Sequence, residues 1–118
     1  MLPLVFVASS FAQQGSAIAR GEAVYVITHV DVMGDKAVPA LALLTQFAAD
    51  TLKEKDCSRF EVLQQDGRPN HFTVVAIWRN RAAFEAHDSS AWTKSFREKI
   101  QPMVGSPWDE RLHQLVKQ

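Results

Sequence analysis

The chain has 118 residues, 47% of them hydrophobic, and thirteen Lys and Arg balance thirteen Asp and Glu. That length suits one domain burying roughly two thirds of the surface its unfolded form exposes, and the unclustered charge argues against nucleic acid and anionic membrane as partners, since both select runs of Lys and Arg. A single cysteine, Cys57, excludes an internal disulfide and leaves no Cys pair for a zinc site or a redox couple.

The first twelve residues, MLPLVFVASSFA, are apolar and uncharged, and Ser10 and Ala12 are the small residues that a signal-peptide cleavage site needs at −3 and −1. The run falls well short of the ~20 residues of a membrane span. It reads either as a signal for export to the periplasm or the exterior, or as an apolar arm on a cytoplasmic protein. Residues 13–22 are small and polar, as in a linker, so residues 1–22 stand apart from a domain over 23–118.

Residues 23–32, AVYVITHVDV, form a strand by β-branched content. Val24, Val26, Thr28, Val30 and Val32 share one face; Tyr25, Ile27, His29 and Asp31 share the other. Turn residues Met33-Gly34-Asp35-Lys36 lead into a helix over 38–55. Its apolar stripe is Leu41, Leu44, Ala48 and Leu52, with Thr45 and Phe47 beside it and Glu54 on the polar side. A second strand spans 59–65, and Asp66-Gly67-Arg68-Pro69-Asn70 supplies a hairpin loop. The third strand carries Phe72, Val74, Ala76 and Trp78 on one face and Thr73, Val75 and Ile77 on the other. Asn80 suits the N-cap of a short helix on which Phe84 and His87 share the packing side. Ser89 or Ser90 caps a further helix with Trp92, Phe96, Ile100 and Met103 in phase, and residues 108–116 form a weaker last strand.

The order βαββαβ is the split βαβ of a ferredoxin-like α+β sandwich with an antiparallel sheet. Helices cover one face of such a sheet, yet the first and third strands are apolar on both. A second copy covering the bare face is the simplest remedy, so the periodicity predicts a homodimer.

From Tyr25 onward the chain resembles the antibiotic biosynthesis monooxygenase domain family, dimeric α+β barrels that include quinol monooxygenases. The matching pieces are YVITHVDV, Thr51-Leu52-Lys53-Glu54 before Cys57, FEVLQ, RPNHF with a strand ending in Trp78, AFEAH, TKSFREKI and PWDERLH. The likeness is greatest to an exported branch. Two positions depart from the family pattern: Ala76 stands where relatives commonly carry Glu, and Trp92 where they commonly carry a second His.

The resemblance implies a small cofactor-independent monooxygenase acting with O2 on a quinol or polycyclic phenol. In that reading His87 is the base, being the side chain whose ordinary pKa lies closest to neutrality, and Trp78 is a wall that stacks or donates from its indole N–H. Trp92, Phe72 and His29 are candidate substrate contacts. Each has a structural alternative: a backbone-bonded histidine for His87, core packing for Trp78 and Trp92, a dimer interface for His29. The competing functions are a non-catalytic exported dimer that binds a flat apolar ligand, and haem binding or degradation with His87 as axial ligand. The four histidines lack short metal-ligand spacing, glycine-rich phosphate cradles are absent, and Cys57 reads as a small buried residue.

Overall fold

The computed structural model describes residues 22–117. The signal or arm reading of the first twelve residues, and all but the last residue of the linker, lie outside that range. Four strands, β1 (Val24–Asp31), β2 (Cys57–Gln65), β3 (Arg68–Trp78) and β4 (Asp109–His113), form one antiparallel sheet in the order β2-β3-β1-β4. Helix α1 (Ala37–Thr51) connects β1 to β2, and α2 (Arg81–Asp88) followed by α3 (Ala91–Ile100) connects β3 to β4. This is the ferredoxin-like arrangement expected. Among the described residues no helix is long and apolar enough to cross a membrane.

Register explains which side chains meet. Val24 pairs with Trp78, Val26 with Ala76, Thr28 with Val74 and Val30 with Phe72, so the buried residues of β1 and β3 stand together under the helices. Thr28 also pairs with Glu110 of β4, which brings that carboxylate onto the same face. The N-caps follow the sequence: Asn80 Oδ1 accepts from the Ala83 N–H at 2.8 Å, and Ser90 Oγ accepts from the Thr93 N–H at 3.3 Å.

Three local expectations are corrected. The buried side of α1 is Ala40, Leu44, Phe47 and Thr51, whereas Leu41 and Leu52 are exposed. The helix ends at Thr51, and that threonine can occupy the core side because its hydroxyl donates to the Phe47 carbonyl at 2.7 Å. The hairpin turn shrinks to Asp66 and Gly67, with Gly67 at φ 77°, and β3 starts at Arg68. Pro69 fits within that strand because the β2–β3 ladder is irregular there, beyond Gln64. Finally, β4 ends at His113, leaving Leu115 and Val116 exposed.

The face turned away from the helices carries Tyr25, Ile27, Val75 and Ile77, flanked by Leu63 and by charged residues of β2 and β4. The covered face holds the core, and its aromatic end holds the site.

Candidate functional site

Between the sheet and the helices lies a small, partly open cavity of about 30 Å³, large enough for water but little more. Phe47, Phe60, Phe84 and Phe96 contribute to its apolar wall, and Trp78 and His87 stand together on it. Their ring centroids are 4.5 Å apart with a 35° tilt between planes. Trp78 arrives there as the last residue of β3, and His87 from the buried side of α2.

Phe47 organises the aromatic wall. It stacks on Phe96 with centroids 3.9 Å apart, meets Phe60 edge-on at 5.5 Å and approaches His87 at 5.6 Å. The imidazole is therefore dry on its ring faces, but one edge has a charged partner. His87 Nδ1 lies 2.8 Å from Glu54 Oε2. A carboxylate can only accept, so Nδ1 carries the proton and Nε2 keeps its lone pair. Burial pushes the His87 pKa below the ordinary histidine value, and the Glu54 hydrogen bond and charge oppose that shift in part. The ring is thus neutral at neutral pH and able to accept a proton.

Glu54 is the partner of His87 that the helical pattern hides. Its position on the polar side of a long predicted helix hid it, whereas α1 in fact stops at Thr51 and the chain turns back toward α2. The signal available was the match of Thr51-Leu52-Lys53-Glu54 to the family pattern. Ala76 lines the cavity without a carboxylate, and Glu54 supplies one to the imidazole.

A second polar group stands at the β4 end of the same cavity. Arg97 Nη2 donates to Asp88 Oδ1 and to Glu110 Oε1, the latter at 3.2 Å, and the Thr28 hydroxyl donates to Glu110 Oε2 at 3.4 Å. Burial raises the Glu110 pKa above the usual carboxylate value against the pull of Arg97. Two buried donors here, Arg97 Nε and Trp108 Nε1, have no protein acceptor. Such a group left unpaired costs about 1–3 kcal/mol.

The other candidates sit elsewhere. Trp92 is half-buried and lines a surface cleft with Leu43, Gln46 and Lys99, touching Phe47 and His87 from outside the cavity at 5.1 and 5.4 Å. Phe72 faces the helices but is a fully buried core residue beside Val30, away from the cavity wall. His29 does not reach this cavity: strand parity puts it on the bare face, exposed, beside Asp109 and Arg111 in a surface depression, with Thr73 Oγ1 3.2 Å from its Nδ1. Burial pushes the Cys57 thiol up to about 11, so it is protonated and unreactive at neutral pH. Among the described residues no three His, Cys, Asp or Glu side chains gather as metal ligands do.

Comparison with known proteins bears on this geometry. The model of the family described as antibiotic biosynthesis monooxygenase matches residues 23–99. An uncharacterized protein of Synechocystis, sll1783, is 23% identical over 94 residues, covering 80% of this chain, while this chain spans 64% of that protein's length. The crystal structure of an antibiotic biosynthesis monooxygenase superposes with a TM-score of 0.75 at 19% identity, over 80% of this chain and 99% of the other. Rv0793 from Mycobacterium tuberculosis gives 0.75 at 18% identity, over 82% and 98%. At these identities the superpositions establish a shared fold.

Proposed function

The chain belongs to the antibiotic biosynthesis monooxygenase family, and from that premise we propose that it is a cofactor-independent monooxygenase whose substrate is a quinol or polycyclic phenol. One observation carries the reading: a neutral, dry imidazole with its Nδ1 tied to Glu54 stacks beside Trp78 on the wall of an apolar cavity.

The chemistry asks little of the protein. An electron-rich phenolate can itself give an electron to O2. A hydroquinone that takes one oxygen atom into its ring and releases the other as water, ending as a hydroxyquinone, supplies all the electrons that O2 needs. The protein's part is to make the anion and exclude water. His87 Nε2 accepts the phenolic proton, and Glu54 stabilises the imidazolium that forms. Trp78 orients the ring. The aromatic wall keeps the anion dry, which strengthens its interaction with fixed donors.

A cavity of about 30 Å³ is smaller than any such guest, so entry requires side chains to move. The half-buried residues of its lining, Arg97, Trp108 and Glu110 at the β4 end, are the ones nearest solvent. The bare sheet face, with Tyr25, Ile27, Val75 and Ile77 at its centre, is the surface we assign to a second copy in a face-to-face homodimer. Export directed by the apolar N-terminal residues completes the proposal.

Oxygen uptake with 2-methyl-1,4-naphthohydroquinone tests the activity. Consumption above the buffer rate that disappears in His87→Ala is the expected result. Consumption at the buffer rate by both proteins would remove the reading.

A further inference from the structure

The β4 end of the cavity is not needed for proton transfer at His87, yet it is where the polar groups of the core concentrate. Arg97, Trp108 and Glu110 line the cavity and also the depression on the outer surface bounded by Ile100 and Gln101. These three residues are therefore the partition between inside and outside. The guanidinium carbon of Arg97 lies 5.6 Å from the centre of the Trp108 ring. Arg97 Nε and Trp108 Nε1 are buried N–H groups without a protein acceptor, and donors so placed are rarely left unused in folded proteins.

We propose that Trp108 and Arg97 form a second binding subsite, which takes a neutral acceptor oxygen at the far end of the aromatic guest while His87 takes the near one. This deepens the reading above, since it concerns the same cavity. The guest oxygen is neutral because the site is already supplied with anions: one guanidinium sits between the carboxylates of Asp88 and Glu110, so a further negative charge would be repelled. A phenol or ring carbonyl meets both donors without that cost.

The backbones that frame the two ends are separated. Thr28 pairs with both Val74 and Glu110, so Glu110 lies two strand spacings from β3 and four residues along from Trp78, roughly 10 Å across and 13 Å along between backbones. With side chains reaching inward from both ends, a fused-ring guest carrying oxygens at opposite ends fits the span better than a single phenol ring.

Equilibrium dialysis of the full chain with 2,6-dihydroxynaphthalene and 2-naphthol isolates the far oxygen, because the two differ in that atom alone. The wild-type protein should bind the diol roughly threefold to tenfold more tightly, the range of one net hydrogen bond. Trp108→Phe, which keeps the ring, should abolish most of that preference while leaving 2-naphthol within about twofold. Arg97→Lys, which keeps the charge between Asp88 and Glu110, should reduce the preference as well. Equal affinity of the wild type for both compounds, no binding of either, or a preference untouched by both substitutions would overturn the subsite. Binding is read without turnover, so a protein that discriminates the two but consumes no oxygen sinks the monooxygenase reading and leaves the subsite standing.

Discussion

Replacing Glu54 with Gln tests how the imidazole is made a base. The substitution keeps the side-chain shape and an acceptor oxygen for His87 Nδ1, 2.8 Å away, and removes only the charge. In the proposed mechanism His87 becomes a cation in surroundings where its own side chain is 6% exposed and that of Glu54 is 32% exposed. A charge-assisted hydrogen bond exceeds a neutral one by about 1–1.5 kcal/mol. The Coulomb attraction of the new ion pair adds to that, but the one-third exposure of Glu54 screens it, so a total of about 1–3 kcal/mol is reasonable. At about 1.4 kcal/mol per tenfold, kcat should fall roughly 5- to 150-fold. The pH profile gives a second readout that a structural role would not move. Glu54 opposes the lowering of the His87 pKa by burial, so its loss must shift the acid limb of the profile to lower pH. Oxygen-electrode rates with 2-methyl-1,4-naphthohydroquinone across pH 4 to 8 supply both. A Glu54→Gln protein with unchanged kcat and an unmoved acid limb, beside an inactive His87→Ala, would refute the dyad.

Trp78 is 1% exposed, so Trp78→Ala should cost about 3–5 kcal/mol in chemical denaturation, whereas Trp78→Phe should stay folded and weaken aromatic ligands selectively. The two shifted groups give opposite pH dependences of stability. His87 has a lowered pKa, so the unfolded chain binds the extra proton first, and stability declines as pH drops below about 6.5. Glu110 has a raised pKa, so its ionisation costs stability as pH rises past the ordinary Glu value. Glu110→Gln should therefore melt at or above the wild-type temperature at pH 7, with the difference shrinking toward pH 4; a large drop at pH 7 would contradict this. Light scattering should give the mass of a dimer, and Val75→Lys on the bare face should give a monomer with the helical core intact; a monomeric wild type at micromolar concentration would end the dimer proposal.

Periodicity alone dictated the element order, the antiparallel sheet and the sharing of a face by Phe72, Val74, Ala76 and Trp78, because strand alternation and helix spacing are local properties of the backbone. The cap at Asn80 was equally legible, and that of the next helix to within one residue, since a cap bonds within three residues. What tertiary structure decided was every relation spanning many residues. His29 could have faced either way until pairing with Thr73 fixed it on the bare side. Glu54 looked solvated until the chain, leaving α1 three residues before it, set its carboxylate against an imidazole 33 positions away. Arg97 and Glu110 became partners because Thr28 drew β4 beside β1. Local chemistry writes the elements; the partners of a buried charge are chosen by packing, which no short window of residues contains.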